Sequence, residues 1–459
     1  MKATTRMGRP LLRAAAAFGA AGALVAMMTT AGGAAVRSHT TLPPYPTKLT
    51  SADISLAAKY IGGVANKAAA GTPVTIGFIN DDAGTPAFPE NVAGATIAET
   101  LINKDLHGIK GHPLAFDECP VNVEADVTTC ANKMVADHVK IVLTGTLDVM
   151  NDTQLYSTLF SAHIPVIEGN SITTPDFFPP SGGTAVTYTP GSPGVLLGMA
   201  KFVGLKGVGG KLPSNITGFF LDSDTGSQTA FNSLFKSSSH LTAIKSKIFG
   251  EQIATPWTVS DVETALAAIP AAQKSSTSLF VPIMPVQVCV NFYKAMQALH
   301  LNVHVVTTGL CFGQYMKQQI GTYPNGWYFG DYGINYFMYQ STLATSQQLQ
   351  VYIAAVKKFN PTIDYTGFAG PSFGNVMTVA KLYNKAGLAA TSAQLAALAK
   401  GFVGPQWGIS GPMTCGGKIH VLGIPSVICG KYMGMAQFIS GHWKPIQDAY
   451  NGKLINAFT

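Results

Sequence analysis

From Pro73 onward the chain alternates short apolar runs with amphipathic stretches. Val74 to Ile79 is rich in β-branched residues and predicts a strand, whereas Asn91 to Lys104 puts Ala93, Ile97 and Leu101 on one helical face. Leu114 to Phe116 predicts a second strand, and Val127, Ala131 and Met134 stripe the helix after it. Val139 to Leu143 and Ile164 to Ile167 are continuous apolar runs, the pattern of strands covered on both faces. A bend rich in Pro and Gly, from Pro175 to Pro193, interrupts the rhythm, which then restarts. Ile216 to Leu221, Leu279 to Ile283 and Val303 to Thr307 predict strands, with helices beginning near Gly226, Val259 and Val286. Past Asn325 an aromatic segment, Trp327 to Tyr332, leads to helices near Ser346 to Phe359 and Phe373 to Ala386, then to a Gly-rich end with short strands. Two successive strand–helix–strand blocks predict an α/β fold of two doubly wound parallel-sheet lobes. The last block is expected to return to a lobe already built.

The first residues follow a different grammar. Lys2, Arg6, Arg9 and Arg13 precede an uncharged stretch from Ala14 to Val36, apolar at its centre and closed by small residues at Ala31 to Ala35. This is the layout of a secretory signal, residues 1–35, with cleavage expected near Ala35 and an uncleaved anchor as the alternative. No cysteine lies nearby to carry a lipid, and Arg6 and Arg9 are not the adjacent pair of a twin-arginine signal. Residues 36–72 read as a Pro-containing tether with a short helix. Without the leader's four basic residues the formal charge of +7 falls to about +3, too small a surplus to argue for nucleic acid or an anionic membrane. Charged residues are 12% of the chain, about half the usual share, which suits extensive buried sheet.

The six cysteines, Cys119, Cys130, Cys289, Cys311, Cys415 and Cys429, allow fifteen connectivities that sequence alone does not distinguish. Sequential pairing is the simplest expectation, because each pair brackets a short segment, and an exported chain keeps such bonds oxidised. Metal ligation is the weaker reading, since no C-x-x-C, H-E-x-x-H or close Cys/His cluster occurs.

Four motifs invite chemistry. Gly370-Pro371-Ser372-Phe373-Gly374 has the letters of a nucleophile elbow, but the polar, Gly-interrupted residues before it make a poor strand and a helix start suits Ser372 better. Asp222-Ser223-Asp224-Thr225-Gly226 resembles a phosphotransfer turn with its Thr one position early, and a solvated strand-end turn is the better fit. His300 and His304 straddle a helix end and a strand, so they share no helical face. Gly204 to Lys211 fails the P-loop spacing.

Gly77, Gly94-Ala95 through Asn103, His107 to Leu114 with its Gly-x-x-Gly turn, Asp117-Glu118, Val142 to Gly145, Ile164 to Ile167 and Phe219 to Gly226 occur in the order and spacing of a known family. From about residue 73 to the end the chain resembles the type I periplasmic binding proteins, in the branched-chain amino acid (leucine-binding-like) branch. The resemblance implies two lobes joined by three crossing strands, residues 73–190 with 334–420 and residues 191–333 with 421–459. Hinges are then expected near Pro190, Asp331 and Gly423. It further implies an exported, extracytoplasmic monomer without cofactor or metal, which captures a small organic solute and delivers it to the permease subunits of an ABC importer. An extracellular ligand-sensing receptor domain, or an exported hydrolase using Ser372 or Asp222, is the alternative.

The ligand residues this resemblance implies are Asp81, Thr146, Asp148, Asn151, Glu168, Asn170 and Ser171 in the first lobe. In the second lobe and its crossing segment they are Thr225, Met284, Leu310, Trp327, Asp331 and Tyr332. The family's serine run for a ligand carboxylate is replaced here by Asp148-Val149-Met150, and Leu310 stands near the family's acid for the amino group. Asp148, Glu168, Asp224 or Asp331 is expected to replace that acid. These departures favour a weakly polar organic solute over a branched-chain amino acid.

Overall fold

A computed structural model describes residues 48–83, 87–147, 152–332, 347–363, 365–408, 413–415, 427–447 and 454–458. The leader, Asp148, Asn151 and Gly423 lie outside these residues, as does the side chain of Thr225.

The strands are β1 (Val74–Asp81), β2 (Leu114–Val121), β3 (Val142–Thr144), β4 (Val166–Glu168), β5 (Ala185–Thr187), β6 (Ile216–Leu221), β7 (Ile248–Ile253), β8 (Leu279–Pro282), β9 (His304–Thr308), β10 (Tyr328–Asp331), β11 (Val427–Ile428), β12 (Tyr432–Ile439), β13 (His442–Gln447) and β14 (Ile455–Asn456). The first sheet runs β11-β5-β4-β3-β1-β2 with every neighbouring pair parallel. The second runs β13-β12-β10-β9-β8-β6-β7, and it is parallel from β10 to β7. β3, β4, β5, β6, β8 and β10 are buried at every position, which requires cover on both faces and explains why their sequences do not alternate.

Four features differ from the sequence expectations. Helix Ser51–Ile61 is no tether: it starts on a capping box between Thr50 and Asp53 and buries Ile54, Ala57, Ala58 and Ile61. Its Tyr60 hydroxyl lies 2.8 Å from Thr378 Oγ1 and accepts the Trp407 backbone N–H at 2.9 Å, so residues 51–61 belong to the first lobe. Second, the Pro/Gly-rich bend continues into helix Gly191–Lys206. Third, β11 pairs with β5, so Val427 and Ile428 lie in the first sheet and not, as the boundary at 421 would have it, in the second lobe. Fourth, the last block adds antiparallel β12 and β13 beside β10.

Three disulfides join Cys119 to Cys130, Cys289 to Cys311 and Cys415 to Cys429, the sequential pairing. Their Cα–Cα spans of 5.5, 5.4 and 4.6 Å fall within the ordinary range for such bonds. Helices Glu90–Asp105 and Ala369–Ala386 approach so closely that a Cβ at Gly94 would lie 1.9 Å from the Ala369 carbonyl oxygen.

Candidate functional site

In an open parallel sheet the loops beyond the carboxyl ends of the strands face a crevice, and in the second lobe these loops form one wall of a cavity. After β6, Asp224 caps helix Thr225–Ala230, its Oδ1 accepting the Ser227 N–H at 2.8 Å. After β8 come Ile283, Met284 and Pro285, and after β9 the turn Thr308-Gly309-Leu310, in which Thr308 Oγ1 accepts the Leu310 N–H at 3.2 Å. β10 ends at Asp331, which is 5% exposed and accepts the Tyr332 N–H at 2.6 Å. A Cβ on Gly309 would come within 3.0 Å of Asp331 Oδ2, so the glycine makes room for the carboxylate.

Ser192, Val195 and Leu196, from the first turns of helix Gly191–Lys206, form the floor, and Ile172 and Phe368 close the cavity from the first lobe. About 630 Å³ of space lies among these residues, the open mouth of the cavity included. The Ser192 hydroxyl oxygen is buried without a hydrogen-bond partner. An outer, solvent-open space continues past Gly309, Leu310 and Phe368, which border both spaces, to Phe88, Glu90, Gln287 and Tyr315.

A buried amide network backs the first-lobe wall. Asn91 Nδ2 donates to Asn80 Oδ1 at 3.0 Å and to Thr146 Oγ1 at 2.9 Å, while Asn170 Nδ2 donates to Asn91 Oδ1 and Thr146 Oγ1, both at 3.1 Å. Asn170 Oδ1 accepts the Tyr332 hydroxyl at 2.8 Å, so the network reaches the end of β10 in the other lobe. Burial first, and the neighbouring Asp331 second, push the Tyr332 ionisation well above the usual phenol value and keep it a donor.

A second buried cluster joins two acids. The Tyr156 hydroxyl lies 2.7 Å from Asp176 Oδ1 and 3.3 Å from Glu168 Oε1. Glu168 Oε2 accepts Ser171 Oγ at 2.7 Å and also the Thr187 hydroxyl, whereas Asp176 Oδ2 accepts the Ile172 and Thr173 N–H groups, each at 2.9 Å. Burial and the facing Asp176 push Glu168 up to about 8, and burial raises Asp176 as well. Asp176 carries the backbone donors and so is the better-stabilised anion. Glu168 then holds the proton, and Tyr156 can accept from it while donating to Asp176.

Of the residues expected from sequence, Met284, Leu310, Asp331 and Tyr332 line the cavity together. Asp81, Thr146, Glu168, Asn170 and Ser171 are buried behind it, at 3%, 0%, 1%, 2% and 1% exposure, and are not among its lining residues. Trp327 lies in the aromatic core, its ring 6.3 Å from that of Phe292 and 6.0 Å from that of Tyr293. The sequence reading missed Ile172, Ser192, Thr308 and Phe368 on the wall and Asn80, Asn91, Tyr156 and Asp176 behind it. Asn91 carried a signal, a polar side chain on the core face of an otherwise apolar helix stripe.

Neither candidate nucleophile is built for chemistry. Ser372 is 2% exposed in the first turn of helix Ala369–Ala386 and donates to the Asn91 carbonyl at 2.7 Å. Asp222 accepts the Thr255 N–H, Thr255 Oγ1 and Trp257 Nε1 at 2.9, 2.8 and 2.9 Å, bonds that hold its carboxyl down at about 2 and spend its lone pairs. His304 opens β9 while His300 lies outside it, so the two histidines share no helix.

No family model and no curated protein sequence matches the chain. Solved structures do. The branched-chain amino acid transporter substrate-binding protein LivJ from Streptococcus pneumoniae, in complex with isoleucine, superposes with a TM-score of 0.60 at 14% identity over 82% of this chain and 99% of its own. An ABC transporter substrate-binding protein from Aeropyrum pernix matches at 0.63 and 15% identity, over 83% and 97%. A fatty acid ABC transporter substrate-binding protein from Thermomonospora curvata matches at 0.63 and 11%, over 85% and 96%. The chain has the fold these proteins share, the two-lobed type I periplasmic-binding-protein architecture.

Proposed function

We propose that the protein is an extracytoplasmic solute-binding protein that takes a small organic molecule between its lobes and hands it to the permease subunits of an ABC importer. The observation that carries this reading is the cavity itself. It lies at the strand carboxyl ends of one lobe, is closed by Ile172 and Phe368 of the other, and is mostly apolar with a few convergent polar groups. A pocket shared by two lobes is sealed by their approach, which makes capture and release a matter of lobe movement and requires no reaction at the ligand. The similar proteins named above are described as substrate-binding components of transporters, which fits a binding role.

Screening a metabolite panel by thermal shift, with calorimetry on the hits, tests the reading. A true ligand at a hundredfold excess over its Kd adds about 2.7 kcal/mol of stability, contracts the radius of gyration in small-angle scattering and is recovered chemically unchanged. Conversion of the ligand, or binding that survives bulky replacement of Leu310, would count against it.

A further inference from the structure

The Cys289–Cys311 bond lies inside the second-lobe wall of the cavity. Cys311 directly follows Leu310, and Cys289 sits in the first turn of helix Val286–Ala298, just past Met284 and Pro285. Both cysteines are fully buried, and their sulfurs lie 3.8 and 3.2 Å from the Met284 carbonyl oxygen. The bond therefore joins two lining loops that are 22 residues apart along the chain and rests on the backbone of one of them.

The two loops differ in what else holds them. Helix Val286–Ala298 is anchored in the core through Val288, Val290, Phe292, Ala295 and Met296, with the Phe292 ring 4.9 Å from that of Phe219. The Thr308-Gly309-Leu310 turn closes on local bonds, Leu310 N–H to Thr308 Oγ1 at 3.2 Å and Phe312 N–H to the Gly309 carbonyl at 3.0 Å. Leu310 borders both the inner cavity and the outer space, so packing on those two sides does not hold its side chain. The β8–β9 ladder pairs Phe280 with Val305, and the Thr307 hydroxyl reaches the Pro282 carbonyl at 2.7 Å, both short of the turn. Phe312 stacks on Tyr323 and fixes where the chain goes next, whereas the disulfide fixes how far the turn stands from the helix.

We propose that the Cys289–Cys311 disulfide is a positioning element of the solute site. By tying the turn after β9 to an anchored helix, it holds Leu310 and Met284 in the arrangement that an entering solute meets. Ordering this wall before binding spares the solute that cost, which raises affinity. This deepens the solute-binding reading and rests on it. Cys119–Cys130 supplies the contrast: it ties β2, at the edge of the first sheet, to helix Glu124–Ala136, and no residue flanking either cysteine lines the cavity.

The test compares Cys289→Ser/Cys311→Ser with Cys119→Ser/Cys130→Ser in the full chain. Without added solute, hydrogen exchange of peptides spanning residues 283–290 and 308–313 should be about tenfold faster in the first variant only, while β6 peptides stay protected in both. Calorimetry with the compound that gives the largest thermal shift in the metabolite panel should show binding about tenfold weaker in the first variant and unchanged in the second. A merely structural bond would lower global stability without this local pattern. Unchanged exchange at the wall, unchanged affinity, or equal loss of affinity in both variants overturns the proposal and leaves the solute-binding reading standing. If the serine pair does not fold, Cys289→Val/Cys311→Ala refills the space without a bond and takes its place. Failure of both pairs to fold would make the bond a staple of the whole lobe and overturn its positioning role. A panel without any binder brings down the solute-binding reading and this proposal with it.

Discussion

The Tyr332 hydroxyl, at the carboxyl end of β10, donates a 2.8 Å hydrogen bond to Asn170 Oδ1 in the loop after β4, and so joins the two sheets through side chains alone. Both groups are buried, at 4% and 2% exposure. The bond is therefore part of the balance between lobe arrangements. Replacing Tyr332 with Phe leaves Asn170 Oδ1 without its donor and should cost about 1–3 kcal/mol in urea unfolding. The ligand-free protein should also show a larger radius of gyration. If neither quantity changes, the bond does not hold the lobes.

Glu168 titrates well above its ordinary value, and its stability contribution has a definite sign. The folded state binds its proton more tightly than the unfolded chain does, so this contribution is fully present below pH ~4.5 and is lost as the pH rises towards about 8. The loss should amount to a few kcal/mol. Glu168→Gln, which keeps the shape without a titrating proton, should flatten the stability–pH profile across that window. A parallel profile in the variant would place the proton elsewhere in the cluster.

Gly94 sets helix propensity against packing. In an exposed helix Gly→Ala stabilises by about 1 kcal/mol, but here the added methyl would press on the Ala369 carbonyl. Overpacking of this kind costs about 1–3 kcal/mol, so Gly94→Ala should lower the melting temperature. A rise would mean that helices Glu90–Asp105 and Ala369–Ala386 separate easily.

Cys119 and Cys130 close a loop over a sequence separation of 11 residues. Replacing both with Ser should lower stability by about 3 kcal/mol without abolishing ligand binding, because the bridge lies outside the cavity lining. Peptide mapping without reduction should recover all three sequential pairs, and a free thiol at either position would contradict the pairing.

What could be read in advance followed from local chemistry. β1 and β6 announce themselves through continuous runs of β-branched and aromatic residues, and helix Val259–Ala268 through its Thr258–Asp261 capping box. Helix Gly191–Lys206 stayed hidden because it is buried on nearly all sides and shows no amphipathic period. Its glycines resemble a bend, yet they are packing requirements: a Cβ at Gly198 would lie 2.0 Å from Met433 Sδ, and one at Gly204 2.3 Å from the His240 carbonyl. The cavity was only partly legible for a related reason. Met284 and Leu310 lie just past the ends of strands that the sequence predicts, and Asp331 ends β10, whereas Ser192 and Phe368 reach the cavity from helix starts brought in by long-range packing. Glu168 and Asn170 were anticipated as polar groups, but sequence does not say whether a polar side chain faces the solute or its own scaffold.

Tyr60 is clasped by Thr378 and the Trp407 amide, and the Lys381 ammonium sits 4.4 Å from its ring centroid. A handle attached within helix Ser51–Ile61 therefore pulls on the first lobe. In a single-molecule measurement with that handle fixed to a surface, the second lobe becomes the moving arm. A fluorophore on its exposed Leu205 would report each opening and closing as displacement against a stationary frame.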